Sequence, residues 1–431
     1  MAGIVRNMNN LVRRLALWSL RRLNQRRARR APGPDTRTVR ILLHHAYGMG
    51  GTIRTVLNLA GYLARTRDVE IISVIRTNEK PFFPIPPGVR ISFLDNRLRR
   101  RGPLVRLLSR LPSRLVPEHE NVHHSLTLWT DLLLLRFLRS LRGGVLIATR
   151  PAYTLTTALF APDEVLTIGQ EHATLKVHKP EMLRLMKRRY GRLDAFVTLT
   201  KADLEGYAKL LKNDPPRKLV CIPNAVPPLA GGISNLQEKT AVSIGRMVHA
   251  KGFDRLVKAW QLVAETYPDW TLRIYGAGTR AREARLRAQI EEAGLTGKIL
   301  LMGPSRHIGE ELSKASLYVV SSRYEGFGMT ILEAMSKGVP VVSFDCPNGP
   351  REIITNDSDG LLIPSKKAAD LATGICRLIA DEPLRHTLGT NALETAARYD
   401  INAIGPQWDD LLATLDGTSS ENTPVQYLWS P

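Results

Sequence analysis

The stretch from Leu317 to Pro364 constrains the fold more than any other part of this 431-residue chain. Leu317 to Ser321 is an apolar, β-branched run that stops at a polar turn. Gly326 and Gly328 then open a segment that reads as a helix, and Gly338 closes it. Val339 to Phe344 follows as a second apolar run. Strand, loop, helix and strand in that order form the unit of a doubly wound α/β sheet. Ligands bind such sheets beyond the carboxyl ends of the strands, and Glu325 falls at one of those ends. Gly326 and Gly328 would let main chain approach a ligand closely, and the first amides of a helix are donors suited to an anion.

Two acids frame the loop: Glu325 before the helix and Glu333 inside it. On a helical wheel Glu333 shares a face with Met329, Ser336 and Lys337, opposite Ile331, Leu332 and Met335. From spacing alone, Glu333 reads equally as a solvated helix residue and Glu325 as a turn residue.

The rest of the chain repeats the alternation. Val39 to His45 reads as a strand, followed by the glycine turn Tyr47-Gly-Met-Gly-Gly51 and a helix through about Ala64. Strands are expected at 69–75, 89–94, 145–149, 165–169, 196–199 and 219–222. The strand at 165–169 leads to Gln170-Glu171-His172, with His178 nearby, and a helix is expected over 181–192. Pro227-Pro-Leu-Ala-Gly-Gly232 has the composition of an interdomain linker. Beyond it, a strand from Ala241 runs into Gly245-Arg246 and then Lys251-Gly252. The G-x-G at 276–278 lacks the third glycine and the downstream acid of a dinucleotide-binding turn. The segment Pro347 to Glu352 is another strand-to-helix loop, expected to face a nucleotide or the interdomain cleft. A last helix is expected over 400–415, followed from Gly417 by a polar, disordered tail.

Glu325-Gly-Phe-Gly-Met-Thr-Ile-Leu-Glu333 resembles the E-x7-E signature of retaining glycosyltransferases of family 4. Gly245-Arg246 with Lys251-Gly252 resembles the G-R…K-G motif of the same family. The resemblance spans about residues 39–415 and is strongest over 241–364. It implies the α/β GT-B fold, with two Rossmann-like domains facing each other across a deep cleft. The expected divisions are a basic amphipathic segment (1–37), an acceptor domain (38–226) and a nucleotide-sugar domain (233–398). A helix crossing back to the first domain (399–415) and the tail (416–431) complete them. The family's roles carry over as expectations: Arg246 and Lys251 on the donor diphosphate, Glu325 with the amides of Gly326, Phe327 and Gly328 on the sugar, and Glu333 on the ribose. Gly50 and Gly51 would lie against the diphosphate and acceptor, and His172 would contact the transferred sugar or the acceptor. Glu325, His172, Arg246 and Lys251 form the expected catalytic set. A nucleotide sugar, with uridine as the default base, would serve as co-substrate without any further cofactor. The chain is read as lacking the Asp-x-Asp motif of metal-dependent sugar transferases, so no metal is expected.

Composition bears mainly on partners. The net charge of +21 is local. Residues 1–31 hold nine arginines and no acid, 97–114 seven arginines and no acid, and 176–192 seven bases and one acid. A basic surface confined to the first half suits a polyanion, and the amphipathic pattern of residues 4–23 suits an anionic membrane surface. A disordered basic tail or a mitochondrial presequence are the other readings of that N-terminal segment. The arginine–leucine alternation of 97–114 and the bases of 176–192 extend the membrane reading, which implies a peripheral protein on the cytoplasmic membrane face. Aromatic residues are only 6%, and no helix-turn-helix, zinc or RNA-binding signature occurs, so nucleic acid is not an expected partner. Cys221, Cys346 and Cys376 are too scattered for a disulfide framework and are expected to be reduced and buried. The alternative functions are a nucleotide-sugar epimerase or phosphorylase on the same fold, and a non-catalytic polyanion-binding protein.

Overall fold

The computed structural model describes residues 36–346, 348–417 and 425–427. The helix expected over 4–23 lies outside them. Fourteen strands appear among the described residues. In chain order they are β1 (Thr38–Leu43), β2 (Asp68–Arg76), β3 (Val89–Asn96), β4 (Val145–Ala148), β5 (Leu166–Gln170), β6 (Ala195–Thr198) and β7 (Lys218–Cys221). Then come β8 (Thr240–Ile244), β9 (Thr271–Tyr275), β10 (Ile299–Gly303), β11 (Leu317–Val320), β12 (Val341–Phe344), β13 (Gly360–Ile363) and β14 (Val425–Tyr427).

They form two sheets in two units. Among the described residues, the first unit holds 36–198, 204–222, 405–417 and 425–427; the second holds 199–203, 223–346 and 348–404. The first sheet runs β14-β7-β6-β5-β4-β1-β2-β3 and the second β10-β9-β8-β11-β12-β13, and every pairing is parallel. In both, the order grows outward in opposite directions from a central pair, β1/β4 in one and β8/β11 in the other. Such a reversal leaves a crevice at the carboxyl ends of the central pair, where the crossovers diverge to opposite faces.

Burial explains why the central strands were plain in the sequence. β4, β6, β7, β11 and β12 are buried at every position, as parallel strands covered on both faces must be. In the second unit Trp260, Leu272, Ile274, Val319, Val342 and Ile375 share one core. In the first unit one cluster gathers Leu42, Leu138 and Leu146, and another gathers Met186, Phe196 and Tyr207.

Several expectations need correction. The helix expected over 181–192 spans only Pro180–Lys187, because Gly191 fits a tight turn against Asp214. The tail expected to be disordered contributes β14, which adds parallel to the edge of β7. Cys221 and Cys346 are buried, whereas Cys376 is only half-buried. No helix among the described residues is long and apolar enough to cross a membrane.

Candidate active site

In the second unit the crevice is made by the loops that leave β8 and β11. After β8 the chain passes Gly245 and Arg246, makes a short turn at His249–Lys251 and starts the helix Phe253–Thr266 at Gly252. Gly252 has φ +65°, and a Cβ there would sit 2.1 Å from the carbonyl oxygen of Ser321. Only glycine permits both the left-handed turn and that approach. The two loops are then bound together. Ser321 Oγ donates to Lys251 O at 2.9 Å, and Arg323 N donates to Ala250 O at 2.7 Å. The Arg323 guanidinium grips Asp254 through two bonds of 2.8 and 2.6 Å.

This scaffold delivers Lys251 to Glu325. Lys251 Nζ donates to Glu325 Oε1 at 2.6 Å, and Ser322 Oγ donates to the same oxygen at 2.6 Å. The side chains are 21% and 10% exposed, so the ion pair is largely withdrawn from water. Both donors share Oε1, which leaves Oε2 as the acceptor open to a ligand hydroxyl. After Glu325 the amides of Gly326, Phe327 and Gly328 donate to no other group among the described residues. Gly349 (φ +75°) closes the loop from the other side, where a Cβ would lie 2.3 Å from Phe327 O. The Phe327 ring is buried edge-on to Tyr399, so only its main chain is offered. Arg246 is exposed, and its side chain has no partner among the described residues.

Glu333 is not a solvated residue. It is buried on the helix Met329–Met335 together with Ile331, Leu332, Ala334 and Met335. That helix is enclosed by β11, β12 and the helices Ile308–Leu312, Pro350–Ile353 and Glu382–Ala397, so the polar side of its wheel also faces inward. In the segment after Cys346, two charged side chains have partners within the protein. Glu352 accepts the amides of Lys201 and Ala202 at 2.7 and 3.0 Å, capping the helix Lys201–Leu211. Arg351 pairs with Asp345 at 2.7 Å. One Asp-x-Asp spacing does occur, at Asp357-Ser358-Asp359, although the chain was expected to lack it. Its acids serve a turn: Asp359 is buried on Thr395 Oγ1 (2.7 Å) and the Thr355 amide (2.8 Å), and Asp357 pairs with Arg377.

In the first unit the corresponding crevice lies beyond β1 and β4. His44 Nδ1 lies 2.6 Å from Tyr153 Oη and its Nε2 3.1 Å from Ser125 Oγ. Burial, reinforced by the Arg150 charge, pushes the His44 pKa down to about 3. Gly50 and Gly51 begin the helix Gly51–Leu63, and a Cβ on either would meet no protein atom within 4 Å. Packing therefore does not require glycine at these positions. Beyond β5, buried Glu171 accepts the amides of His172 and Ala173 at 3.0 Å each. Glu171 also faces His178 Nε2 and Tyr207 Oη at 3.2 Å. His178 is thereby a structural partner, whereas both ring nitrogens of His172 are covered and make no hydrogen bond among the described residues. Burial lowers the His172 pKa to about 4, so its ring is neutral at pH 7.

The structure thus joins Lys251 to Glu325 and adds Ser322, which the sequence did not single out. The Ser322-x-x-Glu325 spacing was its only signal. Arg150 was missed as well; it faces buried Glu120 at 3.3 Å beside the β4 end.

Comparison with known proteins bears on the fold and on the second unit. Residues 232–395 match the family model described as glycosyl transferases group 1. The chain is 36% identical over 383 residues to an exopolysaccharide phosphotransferase of Streptomyces coelicolor; the match takes in 85% of this chain but 40% of that protein's length. It is 25% identical over 369 residues to an uncharacterized glycosyltransferase of Haemophilus influenzae, covering 84% of this chain and 96% of that one. The crystal structure of a mutant of S. aureus TarM in complex with Fondaparinux, alpha-GlcNAc-glycerol and UDP superposes with a TM-score of 0.71 at 15% identity, over 88% of this chain and 100% of that one. The two parallel-sheet units are those of the GT-B fold, and residues 232–395 are similar to the group 1 glycosyl transferases.

Proposed function

We propose that the protein is a retaining, metal-independent glycosyltransferase moving a hexosyl group from a UDP-sugar to a membrane-associated acceptor. The acceptor class is a lipid-linked glycan, a glycolipid or a cell-wall polymer. The observation that carries the reading is the convergence of Lys251, Ser322 and Glu325 at the central strand pair of a unit matching the group 1 glycosyl transferases. The exopolysaccharide-related relative supports a polymer acceptor, and the UDP bound to TarM supports the uridine base.

In this reading Glu325 Oε2 and the amides of 326–328 hold the sugar hydroxyls, and Glu333 holds the ribose. Gly50 and Gly51 leave room for the diphosphate and acceptor, and neutral His172 hydrogen-bonds the transferred sugar. Arg246 and Lys251 face the diphosphate. As the bond from the anomeric carbon to the β-phosphate oxygen breaks, its electron pair stays on that oxygen. The acceptor hydroxyl attacks on the same face and passes its proton to the departing phosphate. Fixed cations stabilise the growing charge, one such donor being worth about 3 kcal/mol of barrier.

The test is UDP release and product formation with UDP-sugars and a lipid-linked or polyol-phosphate acceptor. Glu325→Ala should abolish most transfer while the protein stays folded. Transfer by Glu325→Ala at the wild-type rate would overturn the assignment, and a sugar nucleotide isomerised without acceptor would instead favour the epimerase reading.

A further inference from the structure

The arginine-rich stretch after β3 is held in an unusual arrangement. Asp95, 2% exposed at the end of β3, receives Arg97 at 2.9 Å and Arg101 at 2.5 Å. Arg101 also donates to Ser109 Oγ at 2.9 Å, and Arg97 to Ser125 O at 2.5 Å. These four bonds fix the segment as an arch. Its crest, the helix Pro103–Leu108, buries none of its residues. Leu98, Leu104, Leu107 and Leu111 are 45%, 66%, 56% and 44% exposed. Arg99, Arg100, Arg106, Arg110 and Arg114 stand exposed among them, with no acid between 97 and 114. Beside the arch, Arg99, Arg100, Val105 and Trp129 help to line a groove of about 560 Å³. Trp129 lies on the helix Leu128–Ser140, which packs against the crest and exposes Leu132 one turn further on.

A solvated basic loop would turn its leucines inward. Here the buried acid takes two arginines, and the leucines are held outward beside the other five. Apolar side chains held out among cations are the pattern of an interfacial element, whose leucines enter the acyl boundary while the guanidiniums meet lipid phosphates. A soluble polyanion would engage the arginines alone and gives the leucines nothing to bury against.

We propose that the arch 97–114 docks the first unit on an anionic phospholipid bilayer, with Leu104 and Leu107 inserting and Arg99 and Arg100 binding phosphate headgroups. The proposal leans on the glycosyltransferase reading only for its use, presenting a membrane-borne acceptor. Vesicle binding needs no donor sugar, so the two readings fail separately.

The full chain is sedimented with vesicles of phosphatidylglycerol and phosphatidylcholine at physiological salt, and separately titrated with soluble poly(glycerol phosphate). Leu104→Asn/Leu107→Asn should weaken vesicle binding about tenfold, through lost apolar burial, and leave polymer binding unchanged. Arg99→Gln/Arg100→Gln should weaken it too, and more so at low salt. Because residues 1–35 can add their own affinity, Leu107→Trp is read with acyl-brominated lipids, which should quench its added fluorescence. Lack of that quenching, or equal loss of vesicle and polymer binding in Leu104→Asn/Leu107→Asn, would overturn the proposal. The second result would assign the arch to a soluble polyanion.

Discussion

Removing Lys251 probes the candidate site most sharply, because its effects on stability and on transfer should separate. Lys251→Met keeps the length and apolar stem of the side chain but deletes the ammonium 2.6 Å from Glu325 Oε1. Glu325, 10% exposed in its side chain, would keep only Ser322 as a partner. Breaking a fully buried pair by removing one member costs about 3–5 kcal/mol. With Lys251 one-fifth exposed, about 2–3 kcal/mol is the appropriate scale. For a unit of this size that is a fall in Tm of roughly 5–10 °C. Transfer should fall about a hundredfold as well, from the loss of one fixed cation near the departing phosphate. Adding Glu325→Gln removes the stranded charge, so the double variant should regain most of the lost Tm without regaining transfer. Calorimetry and UDP-release rates on the two single variants and the double variant complete the cycle. If Lys251→Met melted and turned over like wild type, or if the double variant melted lower than both single variants, the paired-site argument would be refuted.

Three further outcomes are expected. Gly252→Ala forces a side chain into a left-handed turn and onto Ser321 O, and should lower stability by about 1–3 kcal/mol in urea unfolding; an unchanged midpoint would mean the two loops are not tightly joined. His44 has its pKa lowered from 6.5 to about 3, so the unfolded chain binds the proton first and stability falls as pH drops below 6.5. That loss should reach about 2 kcal/mol at pH 5, and His44→Gln should remove this part of the pH dependence in unfolding curves taken from pH 5 to 7.5. Glu352→Ala uncaps the helix Lys201–Leu211 and should cost about 1–2 kcal/mol of stability, seen as a lower urea midpoint.

Burial decides how much of the fold and the site was legible in the sequence. Strands such as Leu317–Val320 and Val341–Phe344 sit in the middle of a parallel sheet, so their requirement for unbroken apolar side chains is written directly in the chain. Gly328, which has φ +107°, and Gly252, which is pressed against Ser321 O, were equally visible, because their backbone disfavours any other residue. The spacing alone left Glu333 open to a solvated reading, since a helical wheel reports only one residue's side of the helix and not the helices packed around it. Glu352 and the pair of Asp357 and Asp359 carry no local mark distinguishing a cap or turn from a ligand, as their partners lie in other segments. Ser322 escaped notice for a different reason: its partner Glu325 is only three residues away, but a Ser-x-x-Glu spacing by itself does not mark a bonded pair. The leucines of the arch could be counted in the sequence, but their outward direction depends on Arg97 and Arg101 being taken by buried Asp95.

The central claim is that the carboxyl ends of β8 and β11 bind a nucleotide sugar through Arg246, Lys251 and Glu325. A thermal-shift panel of UDP-, GDP- and ADP-sugars, run on wild type beside Arg246→Ala, tests it most directly. Ligand that binds only the folded state raises its stability by mass action. The account predicts a rise in Tm with UDP-sugars that is lost in Arg246→Ala, which removes an exposed side chain and should leave the ligand-free Tm unchanged. A UDP-sugar shift of equal size in Arg246→Ala, or stabilisation by none of the nucleotides at millimolar concentration, would contradict it.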